Sequence, residues 1–496
     1  FAFLKGERTV RPDPEDPANQ KAYDRMCHLH DELKRGGISG NDLERLLVRL
    51  LFCLFAEDTG IYEPSAFQSF LRNHTRIDGS DLGARLNELF EVLNTPVRER
   101  PSKFKGSIRQ FPYVNGGLFA EPLSTAPASL MGLRNVIINT ANHFDWSDIS
   151  PEIFGSLFQA VLTSTERRSL GAHFTSEKNI RRLIEPLFLR ELWAEFADIR
   201  HERKKLETFR KKLNNLYFLD PACGCGNFLV VTYRELRLLD IEVASILQAG
   251  QSVMDISFLE NIQLDHFHGL EIKPVSALIA QVALWLTKHQ CNRILNRTFD
   301  THIKTVPLDE TPNIRTGNAL QTDWGKLLPG GKSFSFIIGN PPFIGSKIMD
   351  DEQRTEIKTL FGNESGSGTL DYVTGWYLKA AQYMENAPST LVAFVSTNSI
   401  SQGEQVGMLW GHLFDKHQIQ IRFAHQTFKW MNEAPGVAAV FCIIVGFGKT
   451  KPKDCFLYEY EDIKGEPVES KVKNINPYLV EASNVVVRSR SKPLCI

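Results

Sequence analysis

An apolar run rich in β-branched and aromatic residues, Ser333-Phe334-Ser335-Phe336-Ile337-Ile338-Gly339, stops abruptly at Asn340-Pro341-Pro342-Phe343. Such a run predicts a buried parallel strand whose carboxyl end opens into a loop, the usual place for chemistry in an open α/β sheet. Pro341 and Pro342 have fixed φ and no amide hydrogen, so the loop is stiff and its carbonyls stay free to accept hydrogen bonds. The Asn340 amide oxygen and the Pro341 carbonyl could both accept from one planar amino group, with Phe343 stacked on the attached ring. An aromatic amine is a poor nucleophile because its lone pair is delocalised. Two acceptors on its hydrogens stabilise the positive charge that develops on attack. The plain alternative is an incidental Pro-Pro turn after a core strand, and the rest of the chain decides between them.

The chain has 496 residues, enough for roughly three domains of typical size. Hydrophobic residues make up 42% and charged residues 23%, as in ordinary globular proteins. The net charge of −1 announces no global basic field, so a surface for nucleic acid must be local. The eight cysteines form no CxxC pair or His-rich cluster, which points to reduced thiols of a cytosolic protein and to no zinc site. No apolar run approaches the length that spans a bilayer, and no signal peptide is visible. The first residue is Phe1 rather than Met, as expected of a fragment or processed piece.

The amino-terminal stretch, to about Leu71, reads as helical. Leu43, Leu46, Leu47, Leu50, Leu51 and Leu54 follow a 3.6-residue period after a cap region from Ser39 to Asp42. Pro12-Asp13 with Glu32-Leu33-Lys34 matches the loose spacing of a metal-dependent nuclease core, but that core needs its Glu-x-Lys on a strand, whereas His28 to Arg35 is helical in pattern. Residues 72–150 are turn-rich and include the aromatic and glycine loop Phe111 to Phe119, a support region rather than a site of chemistry. Gly171-Ala172-His173-Phe174-Thr175-Ser176 precedes a helix from Glu177 to Leu192, with a kink expected at Pro186. This suits either an anion at a helix N-terminus or a simple cap.

Leu216 to Asp220 predicts the first strand, running into Pro221-Ala222-Cys223-Gly224-Cys225-Gly226 and a helix. Glycines there let the backbone approach a ligand, and Asp220 suits an ammonium group better than a pyrophosphate. Cys223 and Cys225 read as small loop residues. His266 to Ile272 is a second strand ending in Glu271; an acid there either holds ribose hydroxyls or is a surface carboxylate. Asn318, in Gly317-Asn318-Ala319, either reads an adenine edge or merely turns the chain. Strands follow at 391–396, 419–425 and 438–447, with Gln426 to Pro435 as a connection, and helical patterns separate most strands.

The order Gly-x-x-Phe-Thr, Asp-Pro-Ala-Cys-Gly-x-Gly, Leu-Glu, Gly-Asn-Ala and Asn-Pro-Pro-Phe resembles an amino-group DNA methyltransferase of the gamma arrangement. Leu46 to Tyr62, Phe111 to Phe119, Trp146 to Leu157, Gly171 to Ile180 and Pro477 to Leu494 extend the resemblance to the MmeI-like, type IIL restriction–modification family. The resemblance implies a doubly wound, Rossmann-like α/β sheet dependent on S-adenosylmethionine, preceded by a mainly helical domain. The expected division is a helical spacer at 1–150, a methyltransferase domain at 151–449, and at 450–496 a linker leading into a target-recognition region cut short.

The resemblance also assigns roles. His173, Phe174 and Thr175 would meet the methionine end of the cofactor, with Asp220, Ala222, Gly224 and Gly226 at its amino-acid portion. Glu271 would hold the ribose, Ile272 would pack on adenine, and Asn318 would bond the adenine edge. Asn340, Pro341, Pro342 and Phe343 form the catalytic loop, with Phe428, or else Trp430, as an aromatic wall for a base flipped out of double-stranded DNA. No metal is expected. The implied reaction is N6-adenine methylation in a bacterial cytoplasm as part of a restriction or phage-defence system. Cytosine amino methylation and a non-catalytic subunit of a defence complex stand as alternatives, and related loops also act on RNA bases and protein glutamine. No nuclease core is read in this chain, so cutting would come from outside it, and without a complete recognition region its DNA contacts would be largely to phosphate.

Overall fold

The computed structural model describes residues 17–104, 106–114, 117–122, 131–142, 144–148, 177–249, 259–301, 303, 312–362, 366–430 and 440–485. The chain divides into two compact units, one of residues 1–164 and 278–312, the other of 165–277 and 313–496.

In the first unit, helices α1 (Pro17–Arg35), α2 (Gly40–Asp58), α3 (Ala66–Asn73), α4 (Leu82–Leu93) and α5 (Met131–Asn142) follow one another. Glu32 and Lys34 lie on α1, so no strand presents them as a nuclease core would require. The leucines expected on one face of α2 are all buried, but so are Phe52, Cys53 and Phe55 between them. The helix is therefore a core element. Two of its buried charged residues, Arg49 and Glu57, are tied to backbone groups. Arg49 donates through Nε to the Leu118 carbonyl at 2.9 Å and lies over the rings of Phe90 and Phe119. Glu57 accepts from the amides of Phe67 (2.7 Å) and Gln68 (3.2 Å), which closes the first turn of α3. Ser39 occupies the cap position of α2, yet its side chain makes no capping bond.

The second unit is a nine-stranded sheet in the order β3-β2-β1-β4-β5-β7-β6-β8-β9. Its strands are β1 (Phe218–Asp220), β2 (Phe267–Glu271), β3 (Asn313–Thr316), β4 (Phe336–Gly339), β5 (Leu391–Thr397), β6 (Gln420–Trp430), β7 (Val440–Gly448), β8 (Cys455–Glu459) and β9 (Val468–Val472). The first five pair in parallel, and β7 inserts antiparallel between β5 and β6. Strand order reverses between β1 and β4, which opens a crevice at their carboxyl ends. One face of the sheet carries an aromatic row: Phe218 stacks on Phe267 at 5.1 Å and on Phe336 at 5.5 Å, and Phe188 covers Phe336 at 4.7 Å.

The helices α6 (Glu177–Ile184) and α7 (Arg190–Ile199) flank a π-helical turn, Glu185–Leu189, that contains Pro186. The expected kink takes this form because proline withdraws one donor from the helical ladder. Next come α8 (Arg203–Leu213), α9 (Asn227–Gln248), α10 (Pro274–Phe299), α11 (Asp351–Leu360), α12 (Thr374–Tyr383) and α13 (Gly403–Gly411). Three features depart from the pattern read in the sequence. From Leu278 onward α10 counts with the first unit, where His289 Nε2 bonds the Thr59 carbonyl at 3.1 Å. Residues 426–430, expected in a connection, lengthen β6 beyond a bulge between His425 and Phe428. The polar stretch after 449 continues the sheet through β8, where Phe456-Leu457-Tyr458 suggests a short edge strand in the sequence, and then through β9, which the sequence does not suggest, because an edge strand with one wet face needs few apolar residues.

Candidate active site

Parallel pairing of β1 with β4 sets Phe218 beside Phe336 and Leu219 beside Ile337, so both strands end together. Asp220, the last residue of β1, is buried against Gly339, the last of β4. A Cβ on Gly339 would lie 2.6 Å from Asp220 Oδ1, so only glycine lets these ends meet. Asn340 follows directly. Its Oδ1 and the Oδ2 of Asp220 are buried atoms with no hydrogen-bond partner. Two orphaned acceptors at adjacent strand ends need donors from a ligand, since leaving them unmet costs free energy. Burial, reinforced by the charge of Glu271, pushes the Asp220 carboxyl up to about 8. A cationic ligand group would reverse that shift.

The loop after β1 is cradled from both sides. Gly224 and Gly226 adopt φ of 54° and 87°, and Gly226 caps the start of α9. Glu271, at the end of β2, accepts from the Gly224 amide at 3.0 Å and the Lys273 amide at 2.9 Å. Burial raises its carboxyl above the usual range against these two bonds. Gly269 lets Cys223 close over β2, for a Cβ there would meet its Sγ at 2.7 Å. Cys223 and Cys225 are buried thiols. Ile272, immediately after Glu271, is 66% exposed, an apolar side chain at the rim of the crevice. Asn318 stands one residue beyond Gly317, whose amide donates to the Glu271 carbonyl at 2.9 Å.

A segment absent from the motif reading holds the loop that follows β4. The Tyr372 amide donates to the Ile344 carbonyl at 2.9 Å, and Asp371 accepts from the Ser346 amide at 3.0 Å. Asp371 also accepts from the Thr397 hydroxyl at 3.4 Å, while its own amide donates to Gln405 at 3.1 Å. Behind them Trp376 Nε1 donates to the Pro221 carbonyl at 3.0 Å. The sequence signal was a lone acid, Asp371, set between apolar Leu370 and Tyr372 at the entry to a helix.

Residues 196–459 match the DNA-methyltransferase domain of MmeI, and residues 41–119 match its helicase spacer domain. The chain belongs to the MmeI DNA-methyltransferase family. It is similar over 97% of its length to the type IIL restriction–modification enzyme MmeI, solved in complex with DNA, at 51% identity and a TM-score of 0.89, covering 64% of that chain. It is 37% identical over its whole length to DNA methyltransferase A of Bacillus subtilis (strain 168), covering 55% of that protein. A putative type II restriction enzyme and methyltransferase of Methanocaldococcus jannaschii is 25% identical over 49% of the chain, which covers 24% of that protein. The chain thus spans about half the length of the Bacillus relative and less of the other.

In this member of the family Asp220, Ala222, Gly224, Gly226, Glu271, Asn318, Asn340, Pro341, Pro342 and Phe343 all lie at the carboxyl ends of β1 to β4 or in the loops leaving them. His173, Phe174 and Thr175 fall outside the described residues. The Phe428 ring is wholly buried, stacked on Tyr460 at 5.2 Å, with the Arg182 guanidinium 5.1 Å from its centroid. In the ligand-free chain this ring belongs to the packing beside β8. Trp430 ends β6, and its side chain lies outside the described residues. Among the described residues no helix is long and apolar enough to cross a membrane.

Proposed function

We propose that this chain transfers the methyl group of S-adenosylmethionine to the N6 amino group of adenine in double-stranded DNA, as the modification component of a bacterial restriction–modification system in the cytoplasm. The observation that carries this reading is the buried, unpartnered Asn340 Oδ1, one residue after the Gly339 that packs on Asp220, together with the buried, unpartnered Asp220 Oδ2. The first fits an amino group to be methylated, the second an ammonium group to be held. The MmeI complex with DNA supports the choice of nucleic acid.

S-adenosylmethionine supplies an electrophilic methyl group on a sulfonium centre. Asp220 and the Ala222 to Gly226 backbone would hold its amino-acid portion, Glu271 its ribose hydroxyls, and Ile272 and Asn318 its adenine. His173, Phe174 and Thr175 complete that end of the site in the same reading. On the substrate side, Asn340 Oδ1 and the Pro341 carbonyl accept the two amino hydrogens of a flipped adenine, and Phe343 stacks on its ring. Pro342 keeps the loop rigid, so the acceptors need no reorganisation as positive charge grows on the nitrogen. With Phe428 buried, Trp430 becomes the candidate for the opposite wall.

The test offers the purified chain tritiated S-adenosylmethionine with DNA, RNA and protein, followed by base analysis. The expected label is N6-methyladenine in DNA. Label on cytosine amino groups, on RNA or on glutamine would replace the substrate assignment, and no transfer with intact cofactor binding would favour a non-catalytic DNA-binding role.

A further inference from the structure

Asn318 sits in a turn whose every joint is tied. The Thr322 hydroxyl donates to the Asn318 carbonyl at 2.7 Å, Trp324 Nε1 to the Ala319 carbonyl at 3.0 Å, and Lys379 Nζ to the Thr322 carbonyl at 2.7 Å. The side chain is oriented as firmly as the backbone. Asn318 Oδ1 accepts from the Leu320 amide at 2.9 Å, and Asn318 Nδ2 donates to Glu356 Oε1 at 2.6 Å. An N–H must face the oxygen and a carboxylate must face the nitrogen, so both contacts demand the same amide orientation. Glu356, on α11, is fixed in turn: Gln321 Nε2 donates to its Oε1 at 2.7 Å, and the Tyr372 hydroxyl donates to its Oε2. Tyr372 also clamps the loop after β4 through its amide.

We propose that Glu356 sets the purine specificity of the cofactor site by holding the Asn318 amide with its oxygen toward the ligand. This rests on the reading of Asn318 as the residue facing the cofactor's adenine. The Asn318 Oδ1 atom keeps a second lone pair, which accepts the exocyclic amino group of a 6-aminopurine. A 6-oxopurine would bring a carbonyl oxygen against it, two acceptors with no proton between them. A reversed amide would invert the preference, and the Glu356 carboxylate is the group that forbids reversal. Glu356 does not touch the purine in this account; it is a positioning residue. Replacing Asn318 by a carboxylate residue keeps an acceptor but sets two carboxylates together, and the clash disappears only if Glu356 can become a donor.

Calorimetry with S-adenosylhomocysteine and S-inosylhomocysteine, which differ at the purine 6-position and in the proton the 6-oxopurine carries on N1, tests this on the intact chain without requiring turnover. The wild-type chain should bind the adenosyl compound roughly tenfold or more tightly than the inosyl one, the scale of a site left with an unpaired polar group. Asn318→Asp should weaken adenosyl binding roughly tenfold, but less than about threefold when introduced together with Glu356→Gln, the coupling expected of two residues in one hydrogen-bond network. Thermal melting of each variant without ligand separates this coupling from loss of fold. Equal affinity for the two compounds, or the same loss from Asn318→Asp in both backgrounds, overturns the assignment of Glu356 while leaving the cofactor reading intact. Failure of the wild-type chain to bind either compound overturns both.

Discussion

Asp220 is the residue where burial and charge conflict most plainly. Its ordinary carboxyl value of 3.8 is raised to about 8 in the folded chain by desolvation, with the Glu271 charge adding to it. The native state then holds a proton that the unfolded chain has lost, so this group's contribution to stability is largest at low pH and is lost as pH rises from about 4 to about 8. A cofactor ammonium stabilises the carboxylate, so binding near neutrality must expel that proton. Cofactor affinity is therefore predicted to strengthen as pH rises from roughly 6 to 8, with proton release detected as a buffer-dependent binding enthalpy. Asp220→Asn should weaken binding and flatten the pH dependence. A flat profile in the unaltered chain would show that Asp220 does not meet the charged group. This acid was legible in the sequence, since it ends an apolar run before a glycine loop. Its conflict with Gly339 was not, because the contact crosses from one strand to another 119 residues later.

Two elements each expose a separate prediction. Strand β7 passes Phe423 of β6 at Gly446, where a Cβ would fall 2.0 to 2.6 Å from three atoms of the ring. Gly446→Ala should lower stability by about 1–3 kcal/mol, the range for overpacking a filled core, and depress the melting temperature accordingly. An unchanged melting curve would mean the ring moves aside freely. The entry to α12 clamps the loop after β4 through Asp371 and Tyr372. Asp371→Ala should reduce methyl transfer at saturating cofactor by roughly 10- to 100-fold, the scale of a small misplacement of reacting groups, while cofactor affinity stays within about threefold. Asp371→Asn, which retains an acceptor for the Ser346 amide, should recover part of the rate. A loss confined to cofactor binding would place Asp371 elsewhere in the site. Neither clamp nor crowding shows in periodicity, because both depend on which strands become neighbours.

At the scale of the whole molecule, β1, β2, β4 and β5 were readable because each is a short apolar run ending in a polar residue or glycine at the crevice, whereas β3, Asn313 to Thr316, has only Ile314 as an apolar residue and left no such mark. The β5–β7–β6 arrangement and the edge strands β8 and β9 were less readable, since an antiparallel insertion leaves no mark on the order of runs and an edge strand has one wet face. Residues 278–312, lying between β2 and β3 in sequence yet grouped with the helical unit, carry no compositional boundary at all. The place of the Asn340 to Phe343 loop, at the carboxyl end of β4, was legible because proline and asparagine after an apolar strand restrict the backbone. The central claim is that Asn340 acts on the amino group of a base and not on the cofactor. The direct measurement pairs single-turnover transfer of tritiated methyl to adenine in DNA with cofactor calorimetry for the unaltered chain and for Asn340→Ala. The account predicts a fall in transfer of at least about a hundredfold, with cofactor affinity within a few-fold. Undiminished transfer by the variant, from a preparation whose unaltered counterpart is active, would contradict it.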